Sequence, residues 1–154
     1  MSKLYRLFYS SRKAPDVHLD SEVTIREILR SSIDNNQNYA LTGILVSIQD
    51  VFIQALEGHV DSVRNTYARI SMDRRHRDLN IISQGPVQYR LFSDWNMCAR
   101  ILSGSDLEIL KILDSKGRFN PTALTPKSVQ ILLTTVADIQ RRTLDQSQAA
   151  VERA

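Results

Sequence analysis

The chain has 154 residues, a formal net charge of +3 and 42% hydrophobic residues, which is typical of one soluble domain with a core of its own. It contains no apolar run near the roughly 20 residues that a membrane-spanning helix needs, and its N-terminal residues lack a signal-peptide pattern. The single cysteine, Cys98, excludes an internal disulfide, and the three scattered histidines show no metal-ligand spacing with it. We therefore expect a cytoplasmic protein without a metal site.

Apolar periodicity and turn residues predict the elements along the chain. The predicted strands cover residues 3–9, 41–48, 51–57, 80–87 and 97–102. The predicted helices cover residues 24–36, 61–72, 106–115 and 126–142. Thr24 and Glu27 form a capping box at the start of the first helix, residues 49–50 a tight turn, and Pro126 suits the first turn of the last helix.

The element order favours an α+β fold with a ferredoxin-like split βαβ sheet and two helices on one face. The strand over residues 51–56 is apolar on both faces, whereas a strand with one solvated face alternates. We therefore expect the two C-terminal helices to cover the other face. In this interpretation residues 1–102 form a core, residues 103–145 a helical cap of the same unit, and residues 146–154 a disordered tail.

Two strands carry polar side chains on faces that are predicted to be buried. Alternation places Gln54 between Phe52 and Leu56, and a buried amide without a partner costs roughly 1–3 kcal/mol. The first strand is a neighbour of this one in a ferredoxin-like sheet, so Tyr9 is within reach of Gln54. A structural Tyr–Gln hydrogen bond is one explanation, and part of a binding site is the other.

The two helices before and after these strands add further polar groups. Ile28, Ser32 and Asn36 follow at spacings of four and form one stripe. Asn35 and Asn36 are also typical of a helix C-cap. Arg69 and Asp73 are four residues apart, and on a helix this spacing is typical of a surface ion pair that contributes little to stability. Together, however, these groups are expected to surround a slot between two helices above the sheet, and an apolar floor with a few donors and acceptors is how a planar heteroaromatic ligand is held.

Five segments of the chain are informative as a set: LYRLFYSS at 4–11, NN at 35–36 with LTGIL at 41–45, FIQALEG at 52–58, DRRH at 73–76 and FSDWNM at 92–97. Through these segments the chain resembles the BLUF family of blue-light sensors over residues 4 to about 97. Each segment is weak alone, but all five occur in order on compatible elements. Ala40 and the turn at residues 49–50 depart from the family pattern, in which glycine is common there.

The resemblance implies FAD as cofactor and a role for each matching residue. Tyr9 is implied to donate an electron and a proton under light, and Gln54, between Tyr9 and the flavin ring, to rearrange its amide. Asn36 is implied to bind the C4 carbonyl and N3 side of the ring. The other implied cofactor-binding residues are Ile28, Ser32, Asn35, Arg69, Ile70, Asp73, Arg75 and His76. Trp95 and Met97 are implied to carry the signal towards the C-terminal helices.

The resemblance predicts a photoreceptor and not an enzyme, and two other functions fit the fold less well. An acylphosphatase-like enzyme needs a phosphate cradle, yet residues 10–21 contain no glycine. A nucleic-acid-binding or regulatory sheet needs exposed aromatics, which helices on both faces oppose. We expect the output to reach a separate downstream protein. The surplus apolar surface of the helix over residues 126–142 predicts a homo-oligomer.

Overall fold

The protein was analysed as a computed structural model that describes residues 4–14, 40–93, 98–102 and 123–153. The described residues form a mixed α+β fold. Its strands are β1 (Leu4–Lys13), β2 (Thr42–Ile48), β3 (Val51–His59), β4 (His76–Pro86) and β5 (Cys98–Leu102). Its helices are α1 (Val60–Ser71) and α2 (Pro126–Arg153).

The five strands form one sheet in the order β4-β1-β3-β2-β5. β1 pairs antiparallel with β3 and β4, β2 pairs antiparallel with β3, and β5 is parallel to β2. The prediction that the first strand and the Gln54 strand are neighbours is thereby confirmed. The predicted helix over residues 24–36 lies outside the described residues, so the ferredoxin-like helix arrangement stays a prediction.

Both faces of the sheet are covered, as the two-sided apolar pattern of β3 predicts. One face packs against Val63 of α1, and its other buried side chains are Tyr5, Leu7, Tyr9, Leu41, Leu45, Phe52 and Leu56. On the opposite face Phe8, Ile44, Val46 and Ile53 pack with Val129, Leu132, Leu133 and Val136 of α2. Each such buried side chain contributes about 1.5–3 kcal/mol relative to an exposed one. The predicted second covering helix, over residues 106–115, lies outside the described residues.

The helix α2 begins as predicted but ends later. Thr125 and Ser128 each accept a hydrogen bond from the other's backbone N–H at 3.1 Å, which caps the helix with Pro126 at its first position. The helix extends to Arg153, so the predicted end at residue 142 is wrong. Residues 143–153 contain neither glycine nor proline, and their Ala, Gln, Leu, Arg and Glu favour helix.

The two turn positions where glycine is common in the family both adopt a left-handed backbone. Ala40 has a φ of 53° and Gln49 a φ of 55°, although neither residue is a glycine. This conformation costs a residue with a Cβ about 1–2 kcal/mol. Gln49 nevertheless makes the predicted tight turn, because β2 and β3 pair directly from Ile48 and Val51.

Candidate functional site

The centre of the candidate site is a buried tyrosine–glutamine pair across two strands. Tyr9 of β1 lies directly opposite Gln54 of β3 in the sheet register. The Tyr9 hydroxyl donates a hydrogen bond to Gln54 Oε1, and each residue is only 2% exposed. The pairing that alternation predicts is therefore present, on the sheet face that α1 covers.

The surroundings of Tyr9 keep its phenol neutral. The rings of Tyr9 and Tyr67 meet edge to face with centroids 5.3 Å apart, and the His76 ring centroid lies 6.5 Å away. Burial raises the pKa of Tyr9 far above its ordinary value, and the nearby Tyr67 and Asp73 raise it further. Tyr9 therefore retains a proton, directed at the Gln54 amide, over the whole physiological pH range.

A bulge in the sheet adjoins this pair. The pairing of β1 with β4 shifts register between Phe8 and Tyr9 and again between Ser10 and Arg12. Bulges turn side chains and are frequent next to functional sites. Here the shifts lie within a run of five consecutive buried residues on β1, Leu7 to Ser11, which is expected of a strand whose two faces are both covered.

His76 links the start of β4 to β1 and to the end of α1. Its Nδ1 lies 2.8 Å from Ser11 Oγ and its Nε2 2.7 Å from the Ile70 carbonyl oxygen. A carbonyl only accepts, so Nε2 must carry a proton. In the neutral ring Nδ1 then accepts the Ser11 hydroxyl proton, and this fixes the tautomer.

Asp73 and Arg75 form a compact pair in the turn after α1. The Arg75 guanidinium donates to both carboxylate oxygens of Asp73 at 2.5–3.0 Å, and the Arg75 backbone N–H donates at 3.0 Å. These hydrogen bonds lower the pKa of Asp73, against the effect of partial burial. Arg69 donates to Thr66 Oγ1 at 3.4 Å.

The described residues thus bring together part of the predicted site around the C-terminal end of α1. Tyr9, Gln54 and His76 are in direct contact or joined through shared neighbours, and Ile70 packs against the same apolar cluster as Tyr9. Asp73 and Arg75 adjoin them in the following turn. The predicted site residues that lie outside the described residues are Ile28, Ser32, Asn35, Asn36, Trp95 and Met97.

This half of the site fits a flavin. An isoalloxazine ring needs apolar contacts on its faces and a few donors and acceptors at its edge. Gln54 offers an amide, with a donor and an acceptor end, in a sheet face otherwise formed by Leu45, Phe52 and Leu56. Ile70 is a partly buried aliphatic side chain of the kind that contacts a ring face.

Two residues next to the site, and one on the opposite face of β3, were missing from the predicted set. Tyr67 was predicted only as part of the apolar stripe of α1, yet its ring contacts Tyr9. Ser11 shares a strand face with Tyr9 by alternation, which is the signal that identifies it. Glu57 lies within the FIQALEG segment but had no assigned role, although it is fully buried.

Two other kinds of site were sought in the described part of the chain. No group of three or more His, Cys, Asp or Glu side chains there is arranged to hold a metal ion. Neither α1 nor α2 is long and apolar enough to cross a membrane.

Known proteins are similar to this chain in sequence or in fold. The "Photoactivated adenylate cyclase subunit beta" of Euglena gracilis is 35% identical over 78 residues, which are 50% of this chain and 9% of that protein. The chain therefore spans about a tenth of the length of this curated relative. Among solved structures, the photo-activated state of BlsA covers 87% of this chain and 94% of its own, with a TM-score of 0.77 and 23% identity, a likeness of fold.

A second solved structure, the dark state of the BLUF protein BlrB, is 31% identical with a TM-score of 0.69. It covers 90% of this chain and 98% of its own. The family model described as "BLUF: Sensors of blue-light using FAD" matches residues 4–98. That range includes the buried Tyr9–Gln54 pair, the end of α1 and the following turn. The chain therefore belongs to the BLUF family, the sensors of blue light that use FAD.

Proposed function

We propose that this chain is a blue-light photoreceptor that binds FAD non-covalently and uses Tyr9 and Gln54 as its photoactive pair. The observation that carries the proposal is the hydrogen bond from the Tyr9 hydroxyl to Gln54 Oε1 in a buried sheet face. A phenol held neutral beside an amide is a proton donor next to a group that accepts and donates.

The bound flavin supplies absorption of blue light and, when excited, the power to oxidise a phenol. Tyr9 is the residue placed to lose an electron and a proton, because its ring is buried and its O–H already lies along a hydrogen bond. Gln54 is placed to respond, because rotation or tautomerisation of an amide reverses its hydrogen-bond pattern without backbone movement. A stronger hydrogen bond to the C4 carbonyl of the ring then gives a small red shift.

The residues proposed to hold the cofactor divide by the part of FAD that they contact. Ile28 and Ile70 would contact the two faces of the ring, and Asn36 would bind its C4 carbonyl and N3 side. The residues assigned to the ring edge or to the ribityl-phosphate chain are Ser32, Asn35, Arg69, Asp73, Arg75 and His76. The turn after α1 supports this assignment, because Arg74 and Arg75 outnumber Asp73 there and leave a net positive charge beside His76.

The cofactor is tested by releasing it. We expect purified protein to be yellow and to release FAD on denaturation, identified by chromatography against FAD and FMN standards. FMN alone would keep the flavin proposal and correct the identity of the cofactor. A colourless protein that stays colourless after incubation with FAD contradicts the proposed function.

Asn36→Ala is expected to weaken flavin binding, because it leaves buried polar ring atoms without partners. The expected loss is about 1–3 kcal/mol, or roughly 5- to 150-fold in the dissociation constant. Tyr9→Phe is the matched comparison, since it removes a hydroxyl that binds Gln54. Titration of both apoproteins with FAD measures the difference, and equal affinity would remove Asn36 from the ring site.

We propose that the signal leaves through the segment over residues 92–97, with Trp95 and Met97 as relay residues. A local hydrogen-bond change needs a two-state element to amplify it, and this segment enters β5, which pairs with β2. The output would then reach either a separate protein or an oligomer contact. Ile131 on α2 supports a contact surface, because it is 43% exposed beside the buried Leu132 and Leu133.

Light scattering coupled to size exclusion tests the oligomer. We expect a homo-oligomer in the dark and a change in its mass distribution, or in its affinity for a partner, under continuous blue light. A strict monomer in both conditions, with amide hydrogen exchange unchanged by light over residues 92–142, would contradict this route.

A further inference from the structure

Glu57 is a fully buried carboxylate surrounded by hydrogen-bond donors. Arg6 Nε donates to its Oε2 at 2.8 Å, and the Leu91 backbone N–H donates to the same oxygen at 2.7 Å. The Phe92 backbone N–H and the Thr42 hydroxyl donate to Oε1 at 2.9 and 3.2 Å. Because a carboxylate has about four lone-pair sites, these four donors satisfy it. We call these five residues the Glu57 network.

The Glu57 network fixes the loop after β4. Arg6 also donates to the Tyr89 carbonyl at 2.8 Å, and Arg90 donates to the Glu57 carbonyl at 3.3 Å. Leu91 immediately precedes the predicted signal segment over residues 92–97, and Phe92 is its first residue. A buried charge thus determines where that segment begins.

The same two strands carry the Glu57 network and the photoactive pair. Arg6 lies opposite Glu57 on the β1–β3 ladder, as Tyr9 lies opposite Gln54. Odd and even positions of β3 point to opposite faces. Gln54 and Glu57 therefore lie on opposite faces of one strand, and a change in the packing around the Gln54 amide can reach Glu57 along β3, because close-packed interiors transmit strain.

The network also reaches α2. The Phe92 side chain is fully buried in the cluster that contains Val129, Leu132 and Val136. The contacts from Gln54 along β3 to Glu57, to the Phe92 backbone and to α2 are thus continuous, as coupling between distant groups through packed elements requires.

We propose that Glu57 is the positioning residue that transmits the change at Gln54 to residues 87–93 and α2. This proposal rests on the proposed photoreceptor function. Glu57 touches neither cofactor nor reacting atoms in this role. It acts by holding two backbone N–H groups at a fixed place relative to β3.

The test compares Glu57→Gln with wild type in two measurements on the full chain. An amide replaces an acceptor by a donor, so at least one of the four surrounding donors faces an N–H₂ group. We expect the light-induced red shift to keep its wild-type size. The light-minus-dark difference in amide hydrogen exchange over residues 87–93 and 126–139 is expected to fall about threefold or more.

Arg12→Gln is the matched control, because it removes an arginine of the same strand whose pair with Asp50 is exposed. It should retain both the red shift and the exchange difference. If Glu57→Gln fails to fold, Glu57→Asp provides the second variant. It keeps the charge but shortens the side chain by one methylene, which withdraws the carboxylate from the Leu91 and Phe92 N–H groups, and we expect it to lose the same exchange difference.

The outcomes separate the two proposals. A folded Glu57→Gln, or Glu57→Asp if the first variant does not fold, that shows a normal red shift and wild-type exchange differences would overturn the role of Glu57 and leave the photoreceptor intact. A wild-type protein without any red shift would overturn both. A purely structural Glu57 would lower stability in the variants while the exchange difference stayed at its wild-type size.

Discussion

Tyr9→Phe is expected to keep the flavin and to abolish its light-induced red shift. The substitution removes one hydroxyl from a buried ring, so the contacts with Tyr67 and the apolar cluster survive. It also removes the proton that the hydrogen bond directs at Gln54, and phenylalanine is far harder to oxidise than a phenol. Absorption spectra before and after blue light measure the effect. A shift of normal size in this variant would show that Tyr9 is not the donor.

The chain offers a closely matched control on the same strand. Tyr5 lies on the same face of β1, is 8% exposed and donates a hydrogen bond to Gln84 Oε1 at 3.0 Å. Tyr5→Phe therefore removes a hydroxyl that donates to a glutamine amide, as the Tyr9 hydroxyl does, but outside the site. We expect it to show the wild-type red shift, so that loss in both variants would point to a general effect of removing a hydroxyl.

Gln54→Leu tests the second residue of the photoactive pair. It retains volume and apolar packing but has no amide to rearrange, so we expect bound flavin without a red shift. A normal shift in Gln54→Leu would reject the amide rearrangement while leaving Tyr9 as the donor.

Glu57→Ala is expected to cost about 3–5 kcal/mol in the free energy of unfolding, because breaking a buried ion pair leaves a charge without its partner. The Arg6 side chain is only 12% exposed, and the Leu91 and Phe92 backbone N–H groups lose their acceptor at the same time. Urea unfolding with and without the substitution measures the difference.

The exposed pair of Arg12 on β1 with Asp50 in the turn before β3 provides the comparison. Its side chains are 39% and 58% exposed, so Asp50→Ala is expected to cost less than about 1 kcal/mol. Equal costs for Glu57→Ala and Asp50→Ala would contradict the stabilising role of the Glu57 network.

The sequence predicted the central pair because strand alternation assigns each side chain to a face of the sheet and the element order predicts which strands are neighbours. When β1 and β3 are neighbours, a tyrosine and a glutamine on the same face of the sheet are within hydrogen-bonding reach of each other. The register places Tyr9 directly opposite Gln54. The apolar pattern of β3 predicted its two covered faces in the same way. These features depend on short-range periodicity, which the chain displays directly.

Other features depend on the tertiary contacts of an element or on its exact first and last residues, and these do not follow from periodicity. β4 begins at His76, before the predicted start at residue 80. The prediction missed this start because β4 is an edge strand, whose exposed polar residues carry no apolar pattern. Helical spacing suggested a pairing of Asp73 with Arg69. Because α1 ends at Ser71, Asp73 lies in a turn, where it binds Arg75 instead.

Glu57 illustrates the limit most clearly. A glutamate in a strand is normally exposed, and its neighbours in sequence do not reveal burial. Its partners are cross-strand or distant, from Arg6 and Thr42 to Leu91 and Phe92. Only the assembled sheet and loop identify the carboxylate as a centre of structure.

The most direct test of the central proposal is one absorption spectrum of the purified protein in the dark, a second under blue light, and a third after return to darkness. The account predicts a flavin spectrum in the dark, a small reversible red shift under light, and full recovery. A bound flavin whose spectrum does not shift under blue light, or bleaches without recovery, would contradict the photoreceptor proposal for this chain.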